Sequence, residues 1–269
     1  MFEHLRAQPE DAIIALMDRF REDPRDTKID LGVGVYRNSQ GVTPIMLAVK
    51  TAERQLVEAQ DTKGYTALSG DPAFIRAMAD LVLGDRIDMD RVAGAATVGG
   101  TGALRQGLEL IRLARPEARV HIPDPTWPNH QAILSAMQIP ASRYRYFDAE
   151  ANALDIAGML EDLQGVAEGD VVLLHGCCHN PTGVDPTPAQ WAEIIAVLKA
   201  RGAVALVDLA YLGFGDGVDE DAEATRQLVE TLPEAVVAVS CSKNFGLYRE
   251  RAGVVLVTST TPDQAAVVQ

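Results

Sequence analysis

Basic charge is scarce in this chain: 24 Lys and Arg stand against 38 Asp and Glu, a formal net charge of −14 over 269 residues. A nucleic-acid partner needs a basic face to replace the counterions on its phosphates, and no run of basic residues offers one. Long apolar runs are missing too. The longest reach about six residues, against the roughly 20 that a bilayer-crossing helix needs, so no membrane association is expected. Cysteine is limited to Cys177, Cys178 and Cys241. That is too few and too clustered for a disulfide framework and predicts a reducing, cytoplasmic setting. The opening Met1-Phe2-Glu3-His4-Leu5-Arg6 lacks the charged-then-apolar layout of a secretory leader. What is present, 47% hydrophobic and 23% charged residues, is the composition of a globular protein able to bury a sizeable core.

Apolar runs and helical patterns alternate along the chain. A first helix is expected near Glu10 to Phe20, followed by a turn-rich stretch from Asp23 to Asp30. Thr43-Pro44 predicts a helix reaching about Gln60, with proline at its first position, where a missing N–H costs nothing. Asp71-Pro72 repeats the device; Phe74, Ile75, Met78, Leu81 and Val82 form one apolar stripe that Gly84 ends. Strands are expected at Arg119 to Ile122, Arg143 to Phe147, Val171 to Leu174, Ala203 to Val207, Ala235 to Val239 and Gly253 to Val257. Between the third and fourth, Thr187, Pro188 and Gln190 spell a helix start with reciprocal capping, and Trp191, Ile194, Ile195 and Leu198 line one face. Short apolar strands alternating with helices predict an α/β fold, a mostly parallel sheet covered on both faces. Only about a dozen residues separate the last two strands, too few for a parallel crossover, so the last strand is expected to run antiparallel. Residues 263–269 resemble the start of a helix, and the chain is expected to stop inside a domain.

Open α/β sheets bind ligands at the carboxyl ends of their strands, and four segments there carry unusual polar content. Gly99-Gly100-Thr101-Gly102 runs into a helix with Leu104, Leu108 and Ile111 on one face; its free backbone N–H groups suit a phosphate, although glycine also serves a plain tight turn. His175-Gly176-Cys177-Cys178-His179-Asn180-Pro181-Thr182-Gly183 follows an apolar strand. Its His and Cys residues suggest zinc, but adjacent cysteines on an extended chain point to opposite sides, and no second cluster completes a site, so no metal is expected. Asn180 reads as a fixed side-chain donor. Asp208, in Asp208-Leu209-Ala210-Tyr211, is a carboxylate at the end of a buried strand, which needs a positive partner or serves as a helix cap. Lys243, in Ser240-Cys241-Ser242-Lys243, lies just past a buried strand; it is either a solvated charge or a desolvated amine able to form a Schiff base.

The order of these segments, with the runs Ser-x-Ser-Lys-Asn-Phe-Gly-Leu-Tyr-x-Glu-Arg and His-Gly-Cys-Cys-His-Asn-Pro-Thr-Gly, resembles the class I aminotransferases of pyridoxal-phosphate fold type I, in the aspartate and aromatic amino-acid subgroup. The resemblance extends from Met1-Phe2-Glu3 through Leu31-Gly32-Val33-Gly34-Val35-Tyr36 to Arg251. It implies the large domain of that fold, with one antiparallel strand, over residues 41–269, and an N-terminal arm with part of a small domain over 1–40. It implies transamination of aspartate or aromatic amino acids with 2-oxoglutarate through a Lys243 Schiff base. Asp208 would pair with the pyridine nitrogen. Tyr211 and Asn180 would bond the phenolic oxygen, and Trp127 would stack on the ring. Gly100, Thr101, Ser240 and Arg251 would hold the phosphate, with Tyr65 reaching the site of the other subunit of a homodimer. Gly34, Trp127 and Asn180 would face the substrate, and His130 and His175 would orient Asp208 or line the ring. Either histidine also fits as plain core, as does Trp127, and Gly34 as a purely conformational glycine.

Members of the family continue for more than a hundred residues beyond the point matching Gln269, through the arginine that grips the substrate carboxylate. The resemblance therefore implies little transaminase activity for these 269 residues alone, and a non-catalytic cofactor-binding domain is the alternative. A nucleotide-dependent oxidoreductase is not supported, because no Gly-x-Gly-x-x-Gly stands between a strand and a helix with an acidic residue about 20 positions on. Aspartate and aromatic specificity share every motif quoted.

Overall fold

A computed structural model describes Glu3, residues 12–30, Gly32 and residues 34–269. Met1, Phe2, His4, Leu5, Arg6, Glu10, Leu31 and Val33, named above, lie outside them. Contacts divide the chain into two units, Met1–Ile45 and Met46–Gln269. In the first, helix α1 runs over Ala12–Glu22, with Arg19 and Arg21 in its last turn, where cations complement exposed carbonyls.

The second unit opens with α2 (Leu47–Ala59), which has no buried residue. Pro44 does not start this helix, as the sequence suggested. Met46 holds an extended backbone (φ −59°, ψ 142°) and the helix begins after it. Proline's fixed φ suits extended chain as well as a first helical turn, so proline alone could not locate the start. Helix α3 (Pro72–Leu83) begins as expected: Asp71 accepts the Ala73 N–H at 2.8 Å, Met78 and Val82 are buried, and Gly84 ends the helix at φ +60°.

Strand β1 (Val92–Val98), helix α4 (Gly99–Ala114), strand β2 (Val120–Asp124), helix α5 (Pro128–Ala136) and strand β3 (Ala141–Arg145) follow. β1 was not foreseen, because Ala and Gly make up most of its centre and neither favours strands. Gly94 is there for packing: a Cβ on it would lie 2.7 Å from the Ile75 side chain of α3. The expected strand Arg143 to Phe147 is divided. β3 stops at Arg145, and Phe147–Asp148 (β4) pairs instead with Ala153–Leu154 (β5) in a separate hairpin. The remaining elements are α6 (Ile156–Leu163), β6 (Val171–His175), α7 (Pro188–Arg201), β7 (Val204–Leu209), α8 (Val218–Thr231), β8 (Ala235–Ser240), β9 (Ala252–Thr258) and α9 (Pro262–Val268). The capping box at α7 forms as read, with Thr187 and Gln190 bonded in both directions.

The main sheet has the order β1-β9-β8-β7-β6-β2-β3. β9 runs antiparallel to both neighbours and every other pairing is parallel, as the short connection predicted. Alternate residues of each strand feed two cores. Val172, Leu174, Ala205, Val207, Val237 and Leu256 pack with α3, α6, α7 and α8. Val171, Leu173, Leu206, Val236 and Val255 pack with α4 and α5. Helices therefore cover both faces, and polar ligands can be met only at the sheet's ends. Among the described residues, no helix is long and apolar enough to cross a membrane.

Candidate active site

Register brings the polar segments to one edge. His175 pairs with Asp208 across β6 and β7, Leu209 with Val239 across β7 and β8, Ser240 with Gly253 across β8 and β9, and Val98 with Ala252 across β1 and β9. Because β9 enters the sheet where its neighbours leave it, Arg251 and Gly99 lie at the same edge as Ser240, Asp208 and His175.

At the β6–β7 end, Asp208 and His130 are both buried, and His130 Nε2 stands 2.9 Å from Asp208 Oδ2. The Asn180 backbone N–H donates to His175 Nδ1 (3.3 Å), which puts the His175 proton on Nε2. The Thr126 hydroxyl accepts that proton (3.2 Å) and donates to His130 Nδ1 (2.7 Å), leaving the His130 Nε2–H for Asp208. Burial pushes the Asp208 carboxyl upward. The hydrogen bond from His130, with the charge of Lys243, outweighs it and holds the carboxyl below its ordinary range. Burial lowers His175 to about 4, against the pull of Asp208. The Trp127 ring meets His130 edge-on, with centroids 5.4 Å apart.

Lys243 Nζ lies over the Tyr211 ring, 4.7 Å from its centroid. Burial lowers the Lys243 amine; Asp208 raises it and Arg251 lowers it further. The Asn180 Nδ2 donates to the Tyr211 hydroxyl at 3.5 Å, a long bond. Burial and Asp208 raise the Tyr211 phenol, with Asn180 opposing them.

On the β1–β9 side, α4 starts at Gly99 with no side-chain cap, so its first N–H groups are free. A Cβ on Gly99 would lie 2.6 Å from Arg251 Nη2, and one on Gly100 would lie 2.9 Å from Ser240 Cβ. Bare backbone is thus what lets the guanidinium and the serine close on the helix start. Arg251 itself sits at φ +53°, a conformation unfavourable for a side-chain-bearing residue, and its Nη1 donates to the Ser242 hydroxyl and the Tyr248 carbonyl, each at 3.2 Å. Thr101 is exposed in the first turn of α4. An uncapped helix N-terminus, a guanidinium and hydroxyls suit a phosphate, and a buried anion beside a partly buried amine suits a protonated ring nitrogen next to a carbonyl. The residues present fit pyridoxal phosphate.

Within their own units, two expected residues make no contact that bears on their roles. Tyr65 is fully exposed in the loop after α2. Gly34 belongs to the first unit, and a Cβ built on it meets nothing within 4 Å. Neither space nor a positive φ requires glycine there.

Sequence reasoning passed over three residues. Thr126 bridges His130 and His175, and its spacing of four from His130 across the start of α5 was the available signal. Ser242 accepts from Arg251. His179, buried, stacks on Tyr146 with centroids 3.8 Å apart, bonds Thr182 through Nδ1 and leaves Nε2 without a partner.

The expectation that Cys177 and Cys178 diverge is overturned. Cys178 adopts φ +50°, and both sulfurs lie within 4.8 Å of each other and of an Asp221 carboxylate oxygen. The opposed arrangement holds only for extended chain, and this backbone is turned.

The sequence profile of the aminotransferase class I and II family matches residues 26–269. An aromatic-amino-acid aminotransferase of Paracoccus denitrificans is 56% identical over 95% of this chain and 65% of its own length. An aspartate aminotransferase of Haemophilus influenzae is 47% identical over 94% of this chain and 65% of its own length. A solved aromatic-amino-acid aminotransferase from Burkholderia pseudomallei, covalently bound to pyridoxal phosphate, superposes with a TM-score of 0.96 at 41% identity, over 100% of this chain and 68% of that one. The chain thus spans about 65% of the length of these curated relatives. With the profile covering the whole sheet and its polar edge, the chain belongs to the class I and II aminotransferases.

Proposed function

We propose that this chain carries the cofactor site of a pyridoxal-phosphate aminotransferase that moves an amino group between aspartate or an aromatic amino acid and 2-oxoglutarate. One observation carries the reading: the Lys243 amine lies within the electrostatic reach of both Asp208 and Arg251, at the edge where β7, β8 and β9 meet.

Pyridoxal phosphate supplies a carbonyl for the amine and an electron-poor ring that accepts the electron pair released at the substrate Cα. Arg251, Ser240, Gly100 and Thr101 would hold its phosphate. Asp208, kept anionic by His130, would keep the ring nitrogen protonated, and Trp127 would cover the ring face. Tyr211 and Asn180 would bond the phenolic oxygen. Lys243, with its amine lowered by burial, would hold the carbonyl and then take and return the proton at the substrate Cα. His130 and His175 would act by positioning Asp208.

The same reading assigns residues 1–40 to an N-terminal arm with part of a small domain, Gly34 facing the substrate, and 41–269 to the large domain. The division of contacts between Ile45 and Met46 supports it. A homodimer is supported by α2, with no buried residue, and by the exposed Leu47, Val57, Tyr65 and Leu68 around it; Tyr65 would serve the other subunit's phosphate. Three free cysteines fit a reducing cytoplasm.

Titration with pyridoxal phosphate tests this. A visible absorption band that is lost in Lys243→Ala and kept in Lys199→Ala is the expected result, with little turnover of aspartate or tyrosine and 2-oxoglutarate by these 269 residues. A wild-type chain without the band would leave a non-catalytic domain as the better reading.

A further inference from the structure

The function above makes no use of the two adjacent thiols. Cys177, directly past β6, is buried, whereas Cys178 is partly exposed. The left-handed turn at Cys178 brings its sulfur back beside that of Cys177, with an Asp221 oxygen third in the group. Asp221 is already engaged: its Oδ2 accepts the N–H groups of Gly213 (2.8 Å) and Gly215 (2.9 Å), and its Oδ1 that of Asp216 (2.9 Å). The two thiols face each other, and their interaction lowers the Cys178 thiol and raises that of Cys177. A partly exposed attacking sulfur beside a buried resolving one is the arrangement that thiol–disulfide exchange requires.

We propose that Cys177 and Cys178 form a modification site that a low-molecular-weight disulfide of the glutathione class closes into an eight-membered vicinal disulfide. The Cys178 thiolate attacks one sulfur of the small disulfide, forming a mixed disulfide and releasing one thiolate. That thiolate takes the Cys177 proton. The Cys177 sulfur then attacks the Cys178 sulfur and expels the second small thiolate, which takes up the proton that Cys178 released on ionising. Two protein thiols are oxidised to one S–S bond, and the small disulfide is reduced to two thiols.

Closure would act near the polar edge. The Cys178 and His179 N–H groups both donate to Asp185 (2.6 and 2.8 Å), and the Asn180 N–H fixes His175. Reshaping the Cys177–Cys178 peptide would disturb all three bonds.

The test is incubation of the chain with oxidised glutathione, followed by thiol titration, intact mass and peptide mapping. The titratable thiols should fall from three to one, with a mass loss of two hydrogens mapped to residues 177–178 and reversed by dithiothreitol. Cys177→Ala should stall as a persistent mixed disulfide on Cys178, and Cys241→Ala should still close. A wild-type chain that stops at the mixed disulfide, or keeps all three thiols, overturns the proposal. No cofactor enters these readouts, so they stand apart from the transaminase reading.

Discussion

His130 donates to Asp208 across 2.9 Å with both side chains buried, and His130 is itself fixed through Thr126 by the tautomer of His175. A buried carboxylate stripped of its donor keeps its desolvation penalty without the compensating bond. His130→Leu is therefore expected to destabilise the chain by roughly 3 kcal/mol. His130→Leu combined with Asp208→Leu should recover part of that loss, because no charge is left unpaired. Urea unfolding at pH 7 measures both; a double variant less stable than His130→Leu would contradict the pairing.

Acid should weaken the fold before the carboxylates titrate. His175 is lowered from 6.5 to about 4 and His179 to about 3, each first by burial. The unfolded chain therefore binds more protons than the folded one below about pH 6.5, and stability falls as pH falls through that window. Each histidine contributes about 2 kcal/mol of loss between pH 7 and pH 5. Asp208, lowered in the folded chain, adds its own loss only below about pH 4, where the unfolded carboxyl protonates. His175→Gln should lose about 2 kcal/mol less than wild type between pH 7 and pH 5. Equal losses in the two proteins would show that His175 is not held neutral.

Gly99→Ala puts a Cβ 2.6 Å from Arg251 Nη2 at a backbone φ of +65°. The guanidinium must retreat from the α4 N-terminus, so affinity for pyridoxal phosphate should fall by about tenfold, equivalent to about 1.4 kcal/mol. Gly41→Ala carries similar backbone strain (φ +75°) in open space and should leave affinity unchanged. Equal affinities for Gly99→Ala and wild type, by equilibrium titration, would remove Arg251 from the phosphate cup.

Much of the fold was legible because burial leaves a pattern. The apolar runs of β6, β7 and β8, buried on both faces, stand out in the sequence, and the capping residues of α3 and α7 mark helix starts within a residue. β1 was hidden because its strand character comes from pairing with β9 and from the close approach of Ile75 rather than from residue preference. Pro44 misled because one fixed dihedral serves two conformations.

For the site, local chemistry nominated Lys243, Asp208 and Asn180 as polar groups at strand ends and a glycine-rich turn suited to a phosphate, while Arg251 came only from the family resemblance. Tertiary structure decided which groups act on one another. Strand register set His175 beside Asp208 and Ser240 beside Gly253, and one left-handed residue turned Cys178 back towards Cys177. Sequence spacing constrains contacts only within a helix turn or a strand. Thr126 and His175 are 49 positions apart and His130 and Asp208 are 78 apart, and those pairings exist only once the sheet has closed.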